Sequence, residues 1–406
     1  MSEENFIKNN TDLISDLKLR ASYGILGNQS IPDYQYLPPT ILTGDPTLNY
    51  PFGAGLRQAV AVGAIVVSTS SPEIRWEQSA TFNAGLDLSI LNERFLLVLD
   101  YFRTRTTDML VKVPLPPSSG LLADPFLNGG EMQNQGIDAV LTYRKNTGAL
   151  RFDITANVSA SRNKILKLGF ADEAFTDGYM DYNNYPTTRT EVGGEIGRFY
   201  LYQTAGVIKT QKELDDVKTL QPNAQLGDIR YVDINGDGEL NDADRTFMGS
   251  GLPRMEYGLT SNFNYRNFDL NIFFQGTLGN YMYNGAKRLM YQNTIFNKST
   301  DLLNAWSAEN PNSNIPRATV VDANGNMARP SDLFLEKASY LRLKSLQLGY
   351  RFKVKGFNTL RAYVGASNLF TITKYTGYDP GVVNYSSFAR GVDRGLYPYR
   401  AVYLQD

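Results

Sequence analysis

The sequence of 406 residues contains no cysteine and no histidine, and it has only two tryptophans. Without cysteine the chain can form no disulfide, no thiolate metal site and no cysteine nucleophile. Without histidine it lacks the commonest general base and the commonest transition-metal ligand. A Ser-His-Asp triad and a zinc-activated water of the usual kind therefore cannot be built from this chain alone.

A strong net charge and a long apolar run are also missing. The 40 basic residues nearly balance the 41 acidic ones, so no global field is expected to draw the chain onto nucleic acid. No local run of Lys and Arg is interleaved with aromatic residues, which also argues against nucleic-acid binding. The longest apolar run, from Ala59 to Val67, is too short for a membrane helix, which needs about 20 residues.

Tyrosine (26), phenylalanine (21) and glycine (35) are abundant, a composition that favours β structure. The clearest pattern is period-two alternation, in which one set of alternate positions is apolar and the other is polar or Gly. Such a pattern is typical of a pleated strand with two unlike faces. It runs through the following segments: Trp76 to Ile90, Leu150 to Ala160, Leu17 to Ile25, Ile137 to Arg144, Tyr257 to Tyr265, Leu346 to Phe352 and, less regularly, Phe95 to Tyr101.

The connections between these strands differ greatly in length. Short turns are indicated at Leu91 to Glu93, Lys145 to Ala149, Arg266-Asn267 and Lys355-Gly356. Long polar stretches run from Pro32 to Pro72, Pro114 to Gly130, Lys167 to Pro253, Asn284 to Glu336 and Thr376 to Tyr397. Soluble β-sandwiches usually have turns of similar length at both ends. Short turns at one end and long loops at the other are typical of outer-membrane barrels.

The sequence therefore predicts an all-β fold, an antiparallel transmembrane β-barrel of about ten strands with an apolar outside and a polar inside. Alternation by itself is equally compatible with a large soluble all-β protein. Ten strands cannot close a large barrel, and open edges invite aggregation, so we expect the chain not to fold stably alone. The final segment, Tyr399 to Asp406, is short for a spanning strand of about 9–11 residues.

One motif points to metal binding. The stretch from Asp233 to Asp244 matches a 12-residue calcium loop embedded in a long outer loop. Asp233, Asn235 and Asp237 supply oxygens at positions 1, 3 and 5, and Glu239 offers its backbone carbonyl at position 7. Asp244 stands at position 12, where an EF-hand has Glu and the dockerin variant has Asp. We expect structural Ca²⁺ here; the alternative is a polar surface turn without an ion.

Other candidate sites are weaker. The carboxylate pairs Asp242/Asp244 and Asp215/Asp216 are expected to be solvated loop charges rather than acid/base catalysts. The loop tyrosines either stack on sugar rings or serve as girdle or loop-packing residues; they are Tyr179, Tyr182, Tyr185, Tyr281 and Tyr283. No catalytic residue and no organic cofactor site is indicated, so no enzyme activity is expected.

Several strings resemble the SusC/RagA family of TonB-dependent outer-membrane transporters. They are "LKLRASYGILGNQ" from Leu17, "IRWEQSATFNAGLDLSILNERFLLVLDYFRTRTTDML" from Ile74, "NQGIDAVLTYR" from Asn134, "GDIRYVDINGDGELNDADRTFMGSGLPRMEYGL" from Gly227, "FDLNIFFQGTLGNYMYN" from Phe268 and "SNLFTITKYTGYDPGV" from Ser367. They are spread along the whole chain in the order of the family.

The resemblance implies a 22-stranded barrel with an N-terminal plug in the outer membrane of a Gram-negative bacterium. It also implies a SusD-like surface lipoprotein as partner, energy from TonB, and import of oligosaccharides or peptides. The family's signal sequence, TonB box, plug and first strands have no counterpart here, so residues 1–406 are expected to be the C-terminal part of such a transporter. The alternative is a secreted or surface-attached, calcium-stabilised β-rich binding protein.

Overall fold

A computed structural model describes residues 4, 13–29, 41–43, 48–53, 59–66, 73–112, 118, 126–169, 174–178, 186–292, 297–356, 360–382, 386–395 and 404–405. Its strands, in chain order, are β1 Ile14–Asn28, β2 Ile41–Thr43, β3 Tyr50–Phe52, β4 Ala59–Ala61, β5 Ala64–Val66, β6 Glu77–Ile90, β7 Phe95–Lys112, β8 Phe126–Lys145, β9 Leu150–Lys167, β10 Phe175–Asp177, β11 Thr188–Thr190, β12 Arg198–Tyr202, β13 Thr204–Val207, β14 Ile229–Tyr231, β15 Arg245–Ser250, β16 Met255–Tyr265, β17 Phe268–Leu278, β18 Tyr281–Asn284, β19 Leu335–Lys337, β20 Tyr340–Phe352, β21 Leu360–Thr373, β22 Val392–Asp393 and β23 Leu404–Gln405.

Helices are few and short. The α-helices are α1 Gln211–Val217 and α2 Gly285–Tyr291. The 3₁₀ turns are Asp242–Asp244, Thr300–Asn304, Asp332–Phe334 and Ser387–Ala389. Helix α1 begins with a capping box, in which the Thr210 side chain accepts from the Glu213 N–H and the Glu213 carboxylate accepts from the Thr210 N–H. Among the residues described, no helix has the length and apolar character needed to span a membrane.

Ten strands form one antiparallel sheet in the order β1-β6-β7-β8-β9-β16-β17-β20-β21-β23. This confirms the predicted all-β, antiparallel fold with about ten long strands. Within the described residues the sheet is open, because β1 and β23 each pair with one neighbour only. The long strands reach 18 to 20 residues in β7, β8 and β9.

One predicted boundary was wrong, and one strand is longer than its apolar alternation. Strand β8 begins at Phe126, inside the stretch predicted as a loop from Pro114 to Gly130. Strand β9 continues to Lys167, well beyond the end of its apolar alternation at Ala160. Both strands extend past the apolar band, and there polar, Gly and apolar residues follow one another without regular alternation. Hydrophobic periodicity therefore cannot detect these ends of the strands.

The register of the sheet aligns the apolar positions of successive strands. One continuous row crosses nine strands through Leu17, Leu88, Leu97, Leu141, Ala156, Leu259, Phe274, Leu343 and Phe370. Much of this face is uncovered: Leu19 is 61% exposed and Ile137 is 50% exposed. A large apolar sheet face left open in this way is suited to contact with lipid and costly in water.

Aromatic side chains gather on this face at the end with the short turns. Phe95 stacks on Tyr143 with ring centroids 4.7 Å apart, and Tyr143 meets Phe152 edge-on at 5.5 Å. Further along, Phe268 and Phe352 each lie 4.7 Å from Tyr350. Such a girdle is typical of the membrane–water interface, where amphipathic rings are stable.

The opposite face of the sheet carries ion pairs that cross strands. Arg20 on β1 contacts Asp87 on the neighbouring strand β6 at 2.8 Å. It also reaches across β6 to Asp100 on β7 at 3.0 Å. Gly85 lies under this crossing, and a Cβ at that position would stand 2.8 Å from Arg20 Cζ. Glycine is required there because any side chain would push the two charged groups apart.

The long outer connections contain a folded layer rather than simple loops. A four-stranded sheet (β10-β11-β12-β15), the β13–β14 pair and a three-stranded sheet (β19-β18-β22) lie within them. Their shared core includes Phe199, Leu201, Tyr283 and Phe334, all with no exposed surface. These apolar residues occur in short runs between polar and Gly-rich segments, so the sequence pattern did not reveal the core.

A buried ion pair ties this layer together. Asp228 has no exposed surface and accepts from Arg317 Nε at 2.6 Å and from Asn326 Nδ2 at 2.9 Å. The Arg317 backbone N–H also donates to the Gly227 carbonyl at 2.8 Å. The turn that leads into β14 is thereby joined to a segment about ninety residues later.

We expect Gly85→Ala in the intact protein to weaken the Arg20–Asp100 contact and to destabilise the sheet by about 1–3 kcal/mol through overpacking. The folded-to-unfolded midpoint of the heat-modifiable band on SDS gels measures this effect. Gly24→Ala is the matched control, because a Cβ at Gly24 has no atom within 4 Å. Equal midpoints for the two variants would contradict the assignment of Gly85.

We expect Arg317→Gln to loosen the outer layer, because removing one partner leaves the Asp228 carboxylate buried without its cation, at a cost of about 3 kcal/mol. Amide hydrogen exchange in residues 225–231 should then speed up by roughly a hundredfold. Lys212→Gln on helix α1 removes an exposed charge of the same sign and should leave this exchange unchanged. Slow exchange in Arg317→Gln would show that the ion pair does not hold the layer.

Candidate functional site

The polar face of the ten-stranded sheet is a continuous hydrogen-bonded surface. Hydroxyl pairs cross between strands at 2.9 Å from Thr81 to Thr104 and from Thr142 to Thr155. Lower on the sheet Asn262 donates to Asp153 at 2.8 Å. These contacts hold the polar side chains in place on the surface of the sheet. A surface of this kind can line a water-filled passage.

An ion pair near the short turns repeats the arrangement at Gly85. Asp269 on β17 accepts from the guanidinium of Arg361 on β21, with Nη2 at 2.5 Å, across the intervening strand β20. Gly349 on β20 lies beneath the pair, and a Cβ there would be 2.6 Å from both partners. Two separate glycines thus allow arginine and aspartate to lie flat on the polar face.

A cleft of about 350 Å³ opens on the polar face at the outer ends of β8 and β9. Its wall offers neutral amides and hydroxyls from Asn134, Ser159 and Ser161, and charges from Glu256 and Arg390. The segment around Ser387–Ala389 belongs to the outer layer and forms its rim. The cleft can therefore hydrogen-bond a polar solute where the passage meets the outer layer.

Sequence reasoning did not identify this cleft. Asn134 and Ser161 continue the polar set of positions on their strands, but they lie beyond the apolar band. Extending the alternation outward along β8 and β9 was the only signal that could have found them. Arg390 comes from a segment more than two hundred residues later, which the sequence alone could not place beside them.

The predicted calcium loop folds into a compact turn. Asp233 Oδ1 accepts from the Gly236 N–H at 2.6 Å, and Asp233 Oδ2 accepts from the Gly238 N–H at 2.9 Å. Both glycines have positive φ, 74° and 82°, as the sharp turn requires. The hydrogen bond from Gly238 is the main reason that the pKa of the Asp233 carboxyl is lowered from its ordinary value.

The other candidate ligands surround the same turn. Asn235 Oδ1 accepts from the Asp237 N–H at 3.1 Å, and Asp237 Oδ1 accepts from the Glu239 N–H at 2.8 Å. Asp244 is fully buried and accepts from Ile234 and Asn241 N–H groups at 3.0 and 2.8 Å. Each oxygen retains a lone pair, which leaves it able to ligate a cation.

Calcium binding by Asp233, Asn235, Asp237, Glu239 and Asp244 stays a prediction. Within the described residues, no group of three or more acidic side chains lies close enough to hold a metal as the side chains are placed. As placed, the carboxylates of Asp233, Asp237 and Asp244 accept hydrogen bonds from backbone N–H groups of the same turn.

The weaker candidates make structural contacts. The expectation that Asp242 and Asp244 are both solvated was wrong for Asp244, which is buried because it accepts two backbone hydrogen bonds within its turn. Asp242 accepts from Tyr202 Oη at 3.1 Å, and Asp215 accepts from Gln211 Nε2 at 2.8 Å. Tyr283 is fully buried in the outer layer, which confirms loop packing rather than sugar stacking for that residue. Tyr281 packs at the edge of the same core. Tyr179, Tyr182 and Tyr185 lie outside the described residues.

Comparison with known proteins identifies this architecture. The family described as TonB dependent receptor-like, beta-barrel, matches residues 10–369. The chain belongs to this family. TonB-dependent receptor P3 of Formosa agariphila is 32% identical over 98% of the chain and 39% of that protein. TonB-dependent receptor SusC of Bacteroides thetaiotaomicron is 29% identical over 100% of the chain and 38% of that protein.

Solved structures agree with this assignment. The RagAB peptide transporter matches with a TM-score of 0.75 and 26% identity, over 97% of this chain and 41% of that one. The resemblance to the SusC/RagA family is thereby confirmed, and these relatives are receptors and transporters rather than enzymes. The β-barrels of the family are outer-membrane proteins. The chain spans about two fifths of the length of the relatives that it matches.

We expect the intact protein, after chelation, to bind Ca²⁺ with a dissociation constant of about 10⁻⁴–10⁻³ M, as extracellular calcium loops do. Isothermal titration measures the heat. Asp233→Asn with Asp237→Asn should abolish it, because two anionic ligands are lost. Asp242→Asn, in the same loop but outside the ligand positions, should retain it. Absence of heat in the unmodified protein, with unchanged hydrogen exchange in residues 233–244 on chelation, would rule the site out.

Proposed function

We propose that this chain forms part of the barrel wall of an outer-membrane transporter that imports oligosaccharides or peptides. The observation that carries the proposal is the sheet with two unlike faces, one apolar and uncovered, the other polar and fixed by cross-strand hydrogen bonds. A wall of this kind separates lipid from a wet passage. The cell envelope of a Gram-negative bacterium is its expected location.

The wall itself acts passively in this proposal. Energy would come from TonB, and a SusD-like surface lipoprotein would bind the solute and cover the outer end. Support comes from the relatives, which include SusC and the RagAB complex. The folded outer layer supports it too, because buried residues such as Phe199 and Phe334 hold its loops in fixed positions for contact with a partner.

Glycans are the first substrate class that we propose. The cleft at the outer end of the passage presents neutral amide and hydroxyl groups from Asn134, Ser159 and Ser161, which are suited to sugar hydroxyls. Peptides are the second class, since the RagAB structures are of a peptide transporter. Glu256 and Arg390 in the same cleft could pair with the charged ends of a short peptide.

A secreted calcium-stabilised binding protein gains no support from the comparisons. The exposed apolar face also argues against it, because rows of leucine and phenylalanine across nine strands would aggregate in water.

We expect Asn134→Ala with Ser161→Ala in the intact transporter to lower the apparent affinity of uptake about thirtyfold, because each of the two lost neutral hydrogen bonds costs about 1 kcal/mol. Uptake of a labelled oligosaccharide library and of a labelled peptide library by whole cells measures it. Asn264→Ala, on the polar face near the short turns, is the control and should retain normal affinity. Normal uptake of both libraries by the double variant would exclude the cleft as a substrate contact.

A further inference from the structure

Above the apolar band, the lipid-facing positions of β7, β8 and β9 become cationic. The last apolar row on this face joins Ala84, Tyr101, Ile137 and Ala160. The next two rows on the same face are Phe82-Arg103-Gln135-Arg162 and Ala80-Arg105-Gln133-Lys164. The alternation continues without a break, so these arginine and lysine side chains point away from the passage, toward the outside of the wall.

The height of these rows follows from strand geometry. Apolar positions on β9 run from Leu150 to Ala160, ten steps of about 3.3 Å. With the strand tilt of about 40° found in such barrels, this corresponds to about 25 Å, the usual height of the apolar band. Arg162 and Lys164 come directly after it, on the side of the long loops. They lie where the headgroups of the outer leaflet begin.

The outer layer completes a cleft at this level. A cavity of about 390 Å³ opens between the ends of β8 and β9 and the segments that contain Glu195 and Arg254. Four cationic side chains line it, Arg162, Lys164, Arg198 and Arg254, together with a single carboxylate, Glu195. The segment before β12 is anchored there, because the Ile165 N–H donates to the Gly194 carbonyl at 2.9 Å.

Most of these cations lack an anionic partner. Arg20 and Arg361 on the polar face each pair with an aspartate, and Arg105 in the outward rows pairs with Glu131. By contrast, Arg162, Lys164 and Arg254 make no ion pair within the part of the chain that the structure describes. Arg198 stacks over Phe247, with its Cζ 4.2 Å from the ring centroid.

We infer that this outward cleft binds the phosphate groups of an anionic glycolipid in the outer leaflet, an inference that rests on the proposed membrane location. Arginine forks and lysine ammonium groups bind phosphate oxygens strongly, and the cleft holds both. Arg162 and Lys164 occupy outward positions of β9, so we assign the cleft to lipid rather than to the imported solute, although Arg162, Asn163 and Leu252 also line the cleft on the polar face. Binding here would anchor β8 and β9 to the lipid at their outer ends.

The test uses the intact transporter, purified and placed in phosphatidylcholine nanodiscs that contain lipid A. Native mass spectrometry counts retained lipid A per protein. We expect Arg162→Gln with Lys164→Gln to reduce its affinity about tenfold or more, because charge-assisted hydrogen bonds to phosphate are lost. Arg254→Gln, which changes a residue outside the sheet, should reduce it in the same direction. Arg144→Gln with Arg151→Gln removes two charges from the polar face of the same strands and should have no effect.

Two further arms define the ligand. Dephosphorylated lipid A should be retained poorly, and inorganic phosphate at millimolar concentration should not displace lipid A. Equal retention by the Arg162/Lys164 variant, or equal retention of the dephosphorylated lipid, would overturn the inference. Displacement by inorganic phosphate would assign the cleft to free phosphate and would overturn it as well. Loss of the unmodified protein from the outer-membrane fraction would refute the proposed function instead, so the two failures are distinguishable.

Discussion

Every backbone N–H and C=O group that faces hydrocarbon has to be paired with a neighbouring strand, because lipid offers no hydrogen-bond partner. This constraint determines most of the structure. It requires long antiparallel strands in register, and the register then fixes which side chains face lipid, since the side-chain period is two. The rows of leucine and phenylalanine across nine strands are its direct consequence.

The same constraint acts at the edges of the sheet. In the described residues β1 and β23 each leave one side of their backbone unpaired by the sheet. A sheet embedded in lipid with two such edges has to be closed by further strands, whichever chain supplies them. This requirement fits a family whose matched members are more than twice as long as the matched region.

The sequence predicts structure best in regions where one interaction, the contact of side chains with lipid, determines which residues occur. In the membrane band, burial against lipid selects apolar residues at every second position, so strands such as β6 and β9 could be recognised individually. Above the band that selection disappears, and the outer parts of β8 and β9 could not be recognised. The core of the outer layer was missed for a related reason. Phe199, Tyr283 and Phe334 are brought together by tertiary packing, and none lies in a long periodic segment.

The site residues show the same division. The spacing from Asp233 to Asp244 identified a sharp local turn, and the positive φ of Gly236 and Gly238 is what that spacing demands. Local motifs of this kind can be recognised because all their parts are close in sequence. The cleft on the polar face joins Asn134 to Arg390, and the outward cleft joins Arg162 to Arg254. Only the sheet register brings such residues together.

The alternation of side chains between the two faces of a strand also explains how a thin wall can hold two different sites. At the outer ends of β8 and β9, Asn134 and Ser161 occupy positions of the polar face, while Gln135 and Arg162 occupy outward positions. Neighbouring residues thus face different environments. In our proposals, the neutral polar groups contact the imported solute and the cations contact a lipid headgroup. A one-residue shift in register would exchange the two sets. The register that pairs the backbone groups therefore also decides which side chains each cleft receives, and Arg162, Asn163 and Leu252 line both clefts.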